Sequence, residues 1–352
     1  MIKDKVFLLF PFCKLVKGYK RSAIYDLEKQ KLHLISNEVY TVIAESNGKT
    51  LDEIYNMLKG TDKLIVDSLI TSLLNKRLIS FVEKDDYKCF LSVTNFPVKK
   101  SLLDNFIVDI DVDSDYDLFD TLCKIDVFHL QVIQLRFLYA IDYDSLIQIV
   151  EKTYITSAEA IQLVMPFETI NKTDSLHTLL DNYQNITNVY FWDCPIDKTE
   201  DYKQCQITYL TKEINSSDSC GVITEKHFLC NKKFYFEAQN RNTCLSKKCS
   251  IDRKGVIKNC PYMEQEYGYI NQVTANEFQD IVKSPLFVSF SAIKKDDIKT
   301  CSVCEFRYAC FDCRAFISEK DNLFSKPSKC TYNPYFGIWE KEDIAKKSKL
   351  NT

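Results

Sequence analysis

Four cysteines fall within thirteen residues near the end of the chain, in Cys301-Ser-Val-Cys304-Glu-Phe-Arg-Tyr-Ala-Cys310-Phe-Asp-Cys313. Two residues between cysteines let one loop turn both sulfurs toward a shared ion, and the five-residue gap leaves room for a turn before the second pair. The chemistry on offer is thiolate ligation, of zinc or of an iron–sulfur cluster. Cys220, Cys230, Cys244, Cys249 and Cys260 precede this run and Cys330 follows it, so ten of the fifteen cysteines lie at or beyond Cys220. Cys13, Cys89, Cys123, Cys194 and Cys205 are scattered one per element, which predicts small buried hydrophobes.

The thiols must be brought together by local structure. Ser250-Ile-Asp-Arg-Lys-Gly-Val-Ile-Lys-Asn-Cys260 reads as a hairpin turning at Lys254-Gly255, which returns Cys260 toward Cys244 or Cys249. Val6-Phe-Leu-Leu-Phe-Pro-Phe-Cys13 is short, broken by Pro11, closed by Lys14 and Lys17 and followed by no small-residue cleavage site, so it reads as a buried strand and not a signal peptide. No segment reaches the roughly 18 apolar residues of a membrane span. A cytoplasmic protein is expected, and in that reducing compartment fifteen cysteines ask for metal in place of disulfides. Lys and Arg number 46 against 49 Asp and Glu, a formal charge of -3, which gives no general attraction for nucleic acid or an anionic membrane.

The fold class expected is α+β and α/β multidomain, with units at 1–94, 100–219 and 220–340 and a polar tail at 341–352. Residues 22–27 and 31–36 alternate as a hairpin, Asn37 is placed to cap a helix, Thr50 and Glu53 form a capping box, and Leu64 to Leu74 carry a third helix running into a strand at Leu78–Val82. That order is winged-helix-like. Residues 61–76 hold only Lys63 and Lys76 against Asp62 and Asp67, too few cations for a DNA reader. Asn95-Phe-Pro-Val-Lys-Lys100 reads as a linker, after which strands and helices alternate to Trp192 as a partial parallel (β/α) barrel-like region. No glycine stands between Gly60 and Gly221, which excludes a dinucleotide fingerprint or P-loop there. Asp109, Asp111, Asp113 and Asp115 read as a strand end facing solvent, and His129 and His177 as isolated structural histidines.

Cys244, Gly255 after ten residues, Cys260 after four more, the 301–313 run and Cys330 closely resemble the SPASM domain, the auxiliary iron–sulfur domain of many radical enzymes that modify ribosomal peptides. The last spacing inside the run is two residues where the common pattern has three. The resemblance implies two 4Fe–4S clusters with interleaved ligands. One takes Cys301, Cys304, Cys310 and Cys330; the other takes Cys244, Cys260, Cys313 and an eighth thiol, for which Cys220 and Cys249 compete. Two zinc sites are the alternative, since spacing does not separate the metals. Residues 1 to about 90 resemble the PqqD-like peptide-recognition element, which implies capture of a precursor leader as an added strand beside the hairpin and the third helix. The middle region resembles a radical S-adenosylmethionine barrel without its Cys-x3-Cys-x2-Cys loop. Residues 111–122 hold no thiol and Cys123 stands alone, so no S-adenosylmethionine is expected. The whole layout, with Asn259-Cys-Pro-Tyr-Met263 and Cys304-Glu-Phe-Arg-Tyr308, resembles the SPASM peptide-maturation proteins of grasp-with-spasm systems, which implies an ATP-grasp ligase as partner. Two roles stay open: a recognition platform or electron relay serving that ligase, and a redox enzyme using a cluster with an open iron. No catalytic residue is identifiable.

Overall fold

The computed structural model describes residues 4–90, 101–170, 173–213 and 220–340. The expected linker at 95–100 and the polar tail at 341–352 lie outside the described residues.

Pro11 divides the expected first strand into β1 (Val6–Leu9) and β2 (Cys13–Val16), which join different sheets. β2 pairs antiparallel with β3 (Ser22–Asp26), and β3 with β4 (Lys31–Ile35). α1 (Asn37–Ser46) is capped by Ser36, whose side chain accepts from the Val39 N–H, so Asn37 is the first helical residue and not the cap. α2 (Leu51–Met57) carries the Thr50–Glu53 capping box, α3 (Lys63–Asn75) follows, and β5 (Ile79–Val82) returns antiparallel to β1 before the short α4 (Lys84–Tyr87). One face of this unit closes over Ile24, Ile43, Val66 and Leu73. The other face, Val16, Ala23, Tyr25 and Leu27, is buried against Cys230, Tyr235, Phe236 and Ala309 of the cysteine-rich region.

β6 (Asn105–Ile110), α5 (Leu118–Asp126), β7 (Val132–Phe137), α6 (Tyr143–Tyr154), β8 (Ala160–Pro166), α7 (Thr173–Asn182) and β9 (Ile186–Trp192) alternate, and each strand is the parallel neighbour of the one before. Crossovers of one hand stepping one way along a sheet put every helix on the same side. Phe106, Ile133, Leu135, Leu163 and Val189 share a single core with Leu122, Leu146 and Leu179 of the helices. Alternate residues point to the other, helix-free face. There Gln134, Gln162 and Asn188 stand in register, the Gln134 amide donating to Gln162 at 2.9 Å and the Gln162 amide to Asn188 at 3.3 Å.

β10 (Lys198–Tyr202) and β11 (Cys205–Tyr209) form a hairpin that extends the sheet, an addition not anticipated from sequence. Phe234-Tyr-Phe-Glu237 reads from sequence as an aromatic strand, but α8 (Lys232–Asn240) forms there, because Asn231 accepts from the Phe234 N–H and caps a helix. β12 (Lys248–Ile251) and β13 (Ile257–Lys258) are the expected hairpin around Gly255, at φ 73°. β12 also pairs in parallel with β6, so the sheet, ordered β10-β11-β9-β8-β7-β6-β12-β13, runs across the expected boundary at 219/220. α9 (Ala275–Lys283), α10 (Pro285–Ala292), α11 (Lys299–Ser302), β14 (Tyr332–Asn333) and β15 (Ile338–Trp339) complete the chain.

Three expectations about single residues need correction. Asp109 does not face solvent; it is buried and ion-paired with Arg136 at 2.7 Å, because a guanidinium on the adjacent strand offsets the cost of burial. Cys89 and Cys123 are exposed, not buried hydrophobes, since each sits at or near the outer face of a surface helix. Among the described residues no helix is long and apolar enough to cross a membrane.

Candidate metal centres

Eight thiols fall into two electrostatic neighbourhoods of four. In the first, burial and then the neighbouring Cys244 push the Cys220 thiol up, and the same two causes push Cys260 up to about 12, with Cys220 adding to them. Cys313 is raised by burial, then by Cys244 and Cys220. In the second, burial raises Cys310 to about 12, Lys295 opposes it, and Cys330 and Cys301 add to it. Cys301 is raised by burial and by Cys330, and Cys304 by burial, Glu305, Cys310 and Cys301.

Of the two cysteines left open, Cys220 neighbours Cys244 and Cys260, while Cys249 lies in the helix-side core. Strand alternation decides this. Cys249 lies opposite Phe106 in the β12–β6 register, which turns its side chain into the helix-side core at 0% exposure. Its neighbour Lys248 takes the other face and reaches the Cys244 Sγ at 3.6 Å. Cys220 is delivered by a turn at Gly221, φ 76°, where an added Cβ would lie 3.1 Å from the Cys313 Sγ. Gly221→Ala should therefore lower thermal stability by about 1–2 kcal/mol of backbone strain and displace Cys313 as well. Gly60→Ala, at φ 98° with nothing within 4 Å, carries the backbone cost alone. Thermal unfolding of both variants checks this: Gly221→Ala should melt below Gly60→Ala.

The two groups are joined by buried polar contacts. Asn242, fully buried, accepts from the N–H groups of Cys244 and Leu245 at 2.9 Å each and donates to Asp312 at 2.9 Å. Asp312 sits between Cys310 of one group and Cys313 of the other, and also meets Arg314 at 2.6 Å and Lys295 at 3.5 Å. Lys329 donates to the Cys220 carbonyl at 2.6 Å, while Ile223 bridges to Cys330. None of Lys248, Lys295, Asp312 or Asn242 was singled out from the sequence. Asp312 adjoins Cys313, but the others stand two or more residues from any cysteine of the two groups, and polar neighbours are too common to select them.

The first group borders the helix-free face of the sheet. A cavity of about 270 Å³ is lined by Cys244, Lys248, Gln134, Gln162 and Glu237, and a second of about 220 Å³ by Cys220, Arg136, Tyr190 and again Gln134. The second group faces the N-terminal unit. Glu305, next to Cys304 and fully buried, accepts from Arg21 Nε at 2.6 Å and from the Tyr332 hydroxyl, and its carbonyl accepts from Tyr25 at 2.7 Å. Arg307 donates to the Lys17 carbonyl at 2.8 Å.

Thiols in this number suit a thiophilic metal or cluster. Among the described residues no three or more His, Cys, Asp or Glu side chains are placed so as to hold a metal ion. No family model and no curated protein sequence matches the chain. Among solved structures, Streptococcus suis SuiB bound to S-adenosylmethionine aligns with 89% of this chain and 95% of its own at 9% identity, with a TM-score of 0.38. So low a likeness carries no conclusion about this chain's activity. That structure nonetheless holds S-adenosylmethionine, and the expectation that this chain takes none is withdrawn.

Proposed function

We propose that the chain is an iron–sulfur protein of peptide maturation, which captures a precursor leader at its N-terminal unit and acts with an ATP-grasp ligase as recognition platform or electron relay. The observation that carries this reading is the sorting of eight thiols into two groups of four, one against the sheet and one against the N-terminal unit. The sequence resemblance supplies the peptide context. Cys220, Cys244, Cys260 and Cys313 would hold one cluster, and Cys301, Cys304, Cys310 and Cys330 the other. Such clusters supply one-electron transfer when bound.

Leader capture is supported by the edge position of β4 and by apolar side chains left in water on β4 and on α3. Leu34 is 43% exposed, and Leu64 and Ile65 at the start of α3 are 74% and 62% exposed. Strand addition at such an edge uses unpaired backbone groups for affinity and neighbouring apolar side chains for selection. The cavities beside Cys244 and Cys220 favour a second reading, in which the chain itself performs redox chemistry on the peptide.

Protein purified without oxygen should be brown and carry about eight irons, four at each four-thiolate site. Iron and sulfide analysis of the full chain tests this, and stoichiometric zinc without iron would overturn it.

A further inference from the structure

Lys29 donates from Nζ to the carbonyls of Lys76 at 2.9 Å and Arg77 at 3.1 Å, so the β3–β4 loop is held on the C-terminal end of α3. That contact brings Lys31, the first residue of β4, together with Lys76 and Arg77, all three exposed and none in an ion pair among the described residues. His33, on the helix side of β4, feels the same crowding. Burial and then Lys76 hold its pKa below the usual histidine value, with Lys29 and Lys31 acting the same way and Asp26 opposing, so it is uncharged at neutral pH. Asp26 is buried and committed to Lys29 at 3.1 Å and to the amides of Glu28 and Lys29. This leaves Lys31, Lys76 and Arg77 with the exposed Glu28 as their one acidic neighbour, a local positive excess on a chain whose formal charge is -3. The acids of α3 are remote: Asp62 caps its first turn, Asp67 is bonded to the Tyr55 hydroxyl, and about 14 Å of helix or more separates both from Lys76. The strand edge beside these cations is open. Among the described residues the one bond to the β4 backbone from outside its sheet is the Cys230 thiol on the Lys31 carbonyl, at 3.4 Å, and none reaches Leu32 to Ile35. The two longest segments of this chain outside the described residues are themselves basic: 91–100 carries two lysines and no acid, and 341–352 four lysines against two acids.

We propose that the strand added at the β4 edge is an acidic peptide, with two or more carboxylates where it passes Lys31, Lys76 and Arg77 and apolar side chains toward Leu64 and Ile65 at the other end of α3. This rests on the leader-capture reading above and supplies the chemistry that would select the leader. Backbone pairing along an edge is blind to sequence, so selection falls to the side chains beside it. Carboxylates answer the excess charge, and a basic segment is repelled by it. The helix from Leu64 to Lys76 is about 18 Å long, which five or six extended residues span. A nucleic acid would also meet the cations, but it makes no use of a strand edge or of the exposed Leu34, Leu64 and Ile65.

The test selects random decapeptides displayed on phage against the full-length protein, and measures the enriched peptides, synthesised and labelled, by fluorescence polarisation. Asp and Glu should be enriched, and replacing them by Asn and Gln should weaken binding about tenfold, at about two- to fivefold for each exposed pair lost. The full-length variant with Lys31→Gln, Lys76→Gln and Arg77→Gln should unfold at the wild-type temperature and bind the acidic peptide no better than its Asn and Gln counterpart. Amide hydrogen exchange of residues 32–35 should slow when the acidic peptide is added to the wild-type protein. Enriched peptides without acids, or acidic peptides held as tightly by the triple variant, overturn the inference and leave the edge reading standing where exchange still slows at 32–35. No enrichment, or slowing confined to other segments, overturns the leader-capture reading and the inference with it. Displacement of the acidic peptide by an equal concentration of single-stranded oligonucleotide assigns the cations to nucleic acid and overturns the inference as well.

Discussion

Asp312→Ala should cost about 3–5 kcal/mol of folding stability, the loss expected when one partner is taken from a buried network of charges. Asp312 is fully buried, and its carboxylate holds Arg314 at 2.6 Å, Lys295 at 3.5 Å and the Asn242 amide at 2.9 Å. Removing it leaves two cations in a site without water, beside thiols that their charge helps to hold. Asn242 also orients the Cys244 and Leu245 amides, so the loss reaches the first thiol group through Asn242 and the second through Lys295. Asp181→Ala is the comparison. Its pair with Lys203 is equally short at 2.6 Å, but both side chains are exposed, and its stability should match wild type. Denaturant unfolding of the three proteins, each purified without oxygen, measures the difference; equal midpoints for Asp312→Ala and wild type would mean the network carries no stability.

The order of elements through β9 was readable because hydrophobic periodicity and capping are local. The Thr50–Glu53 box, the three β/α repeats leading to β9 and the Gly255 hairpin all follow from residues near one another in sequence. What was not readable depends on partners far along the chain. Nothing near Cys249 says that β12 will pair with β6, yet that pairing decides which face Cys249 takes and turns it into the core. The burial of Tyr25 against Tyr235 and Ala309 is likewise a long-range event, and it means that residues 1–90 present one face that the rest of the chain must cover. Asp109 was misread for the same reason. Its partner Arg136 lies on the next strand, and acidic spacing alone resembles a solvated strand end. The candidate ligands were legible as a pool of nine because cysteine spacing is specific, and the family resemblance already divided seven of them into two sets; the surroundings of Cys220 and Cys249 required the fold.

On the iron–sulfur reading proposed above, Cys304→Ala should remove about half of the iron and loosen the N-terminal unit, whereas Cys249→Ala should leave the iron unchanged. Ligation supplies much of the folding free energy of a small thiolate-rich region, so loss of one of four ligands disorders the loop that the other three define. That loop holds more than metal. Glu305 follows Cys304 directly, and its carboxylate and carbonyl receive Arg21 and Tyr25 from the N-terminal sheet, while Val303 receives the Tyr19 N–H at 2.8 Å. Displacing the loop therefore releases the face formed by Val16, Ala23, Tyr25 and Leu27, each at most 3% exposed in the native protein. Burial of such side chains contributes about 1.5–3 kcal/mol for each large one, so their release should be visible as new proteolytic cleavage between residues 16 and 35. Cys249→Ala removes only a core sulfur and carries a packing cost without either effect. Iron content and limited proteolysis, measured side by side, check both variants. Full iron in Cys304→Ala, or its loss in Cys249→Ala, would reverse the assignment of these two cysteines.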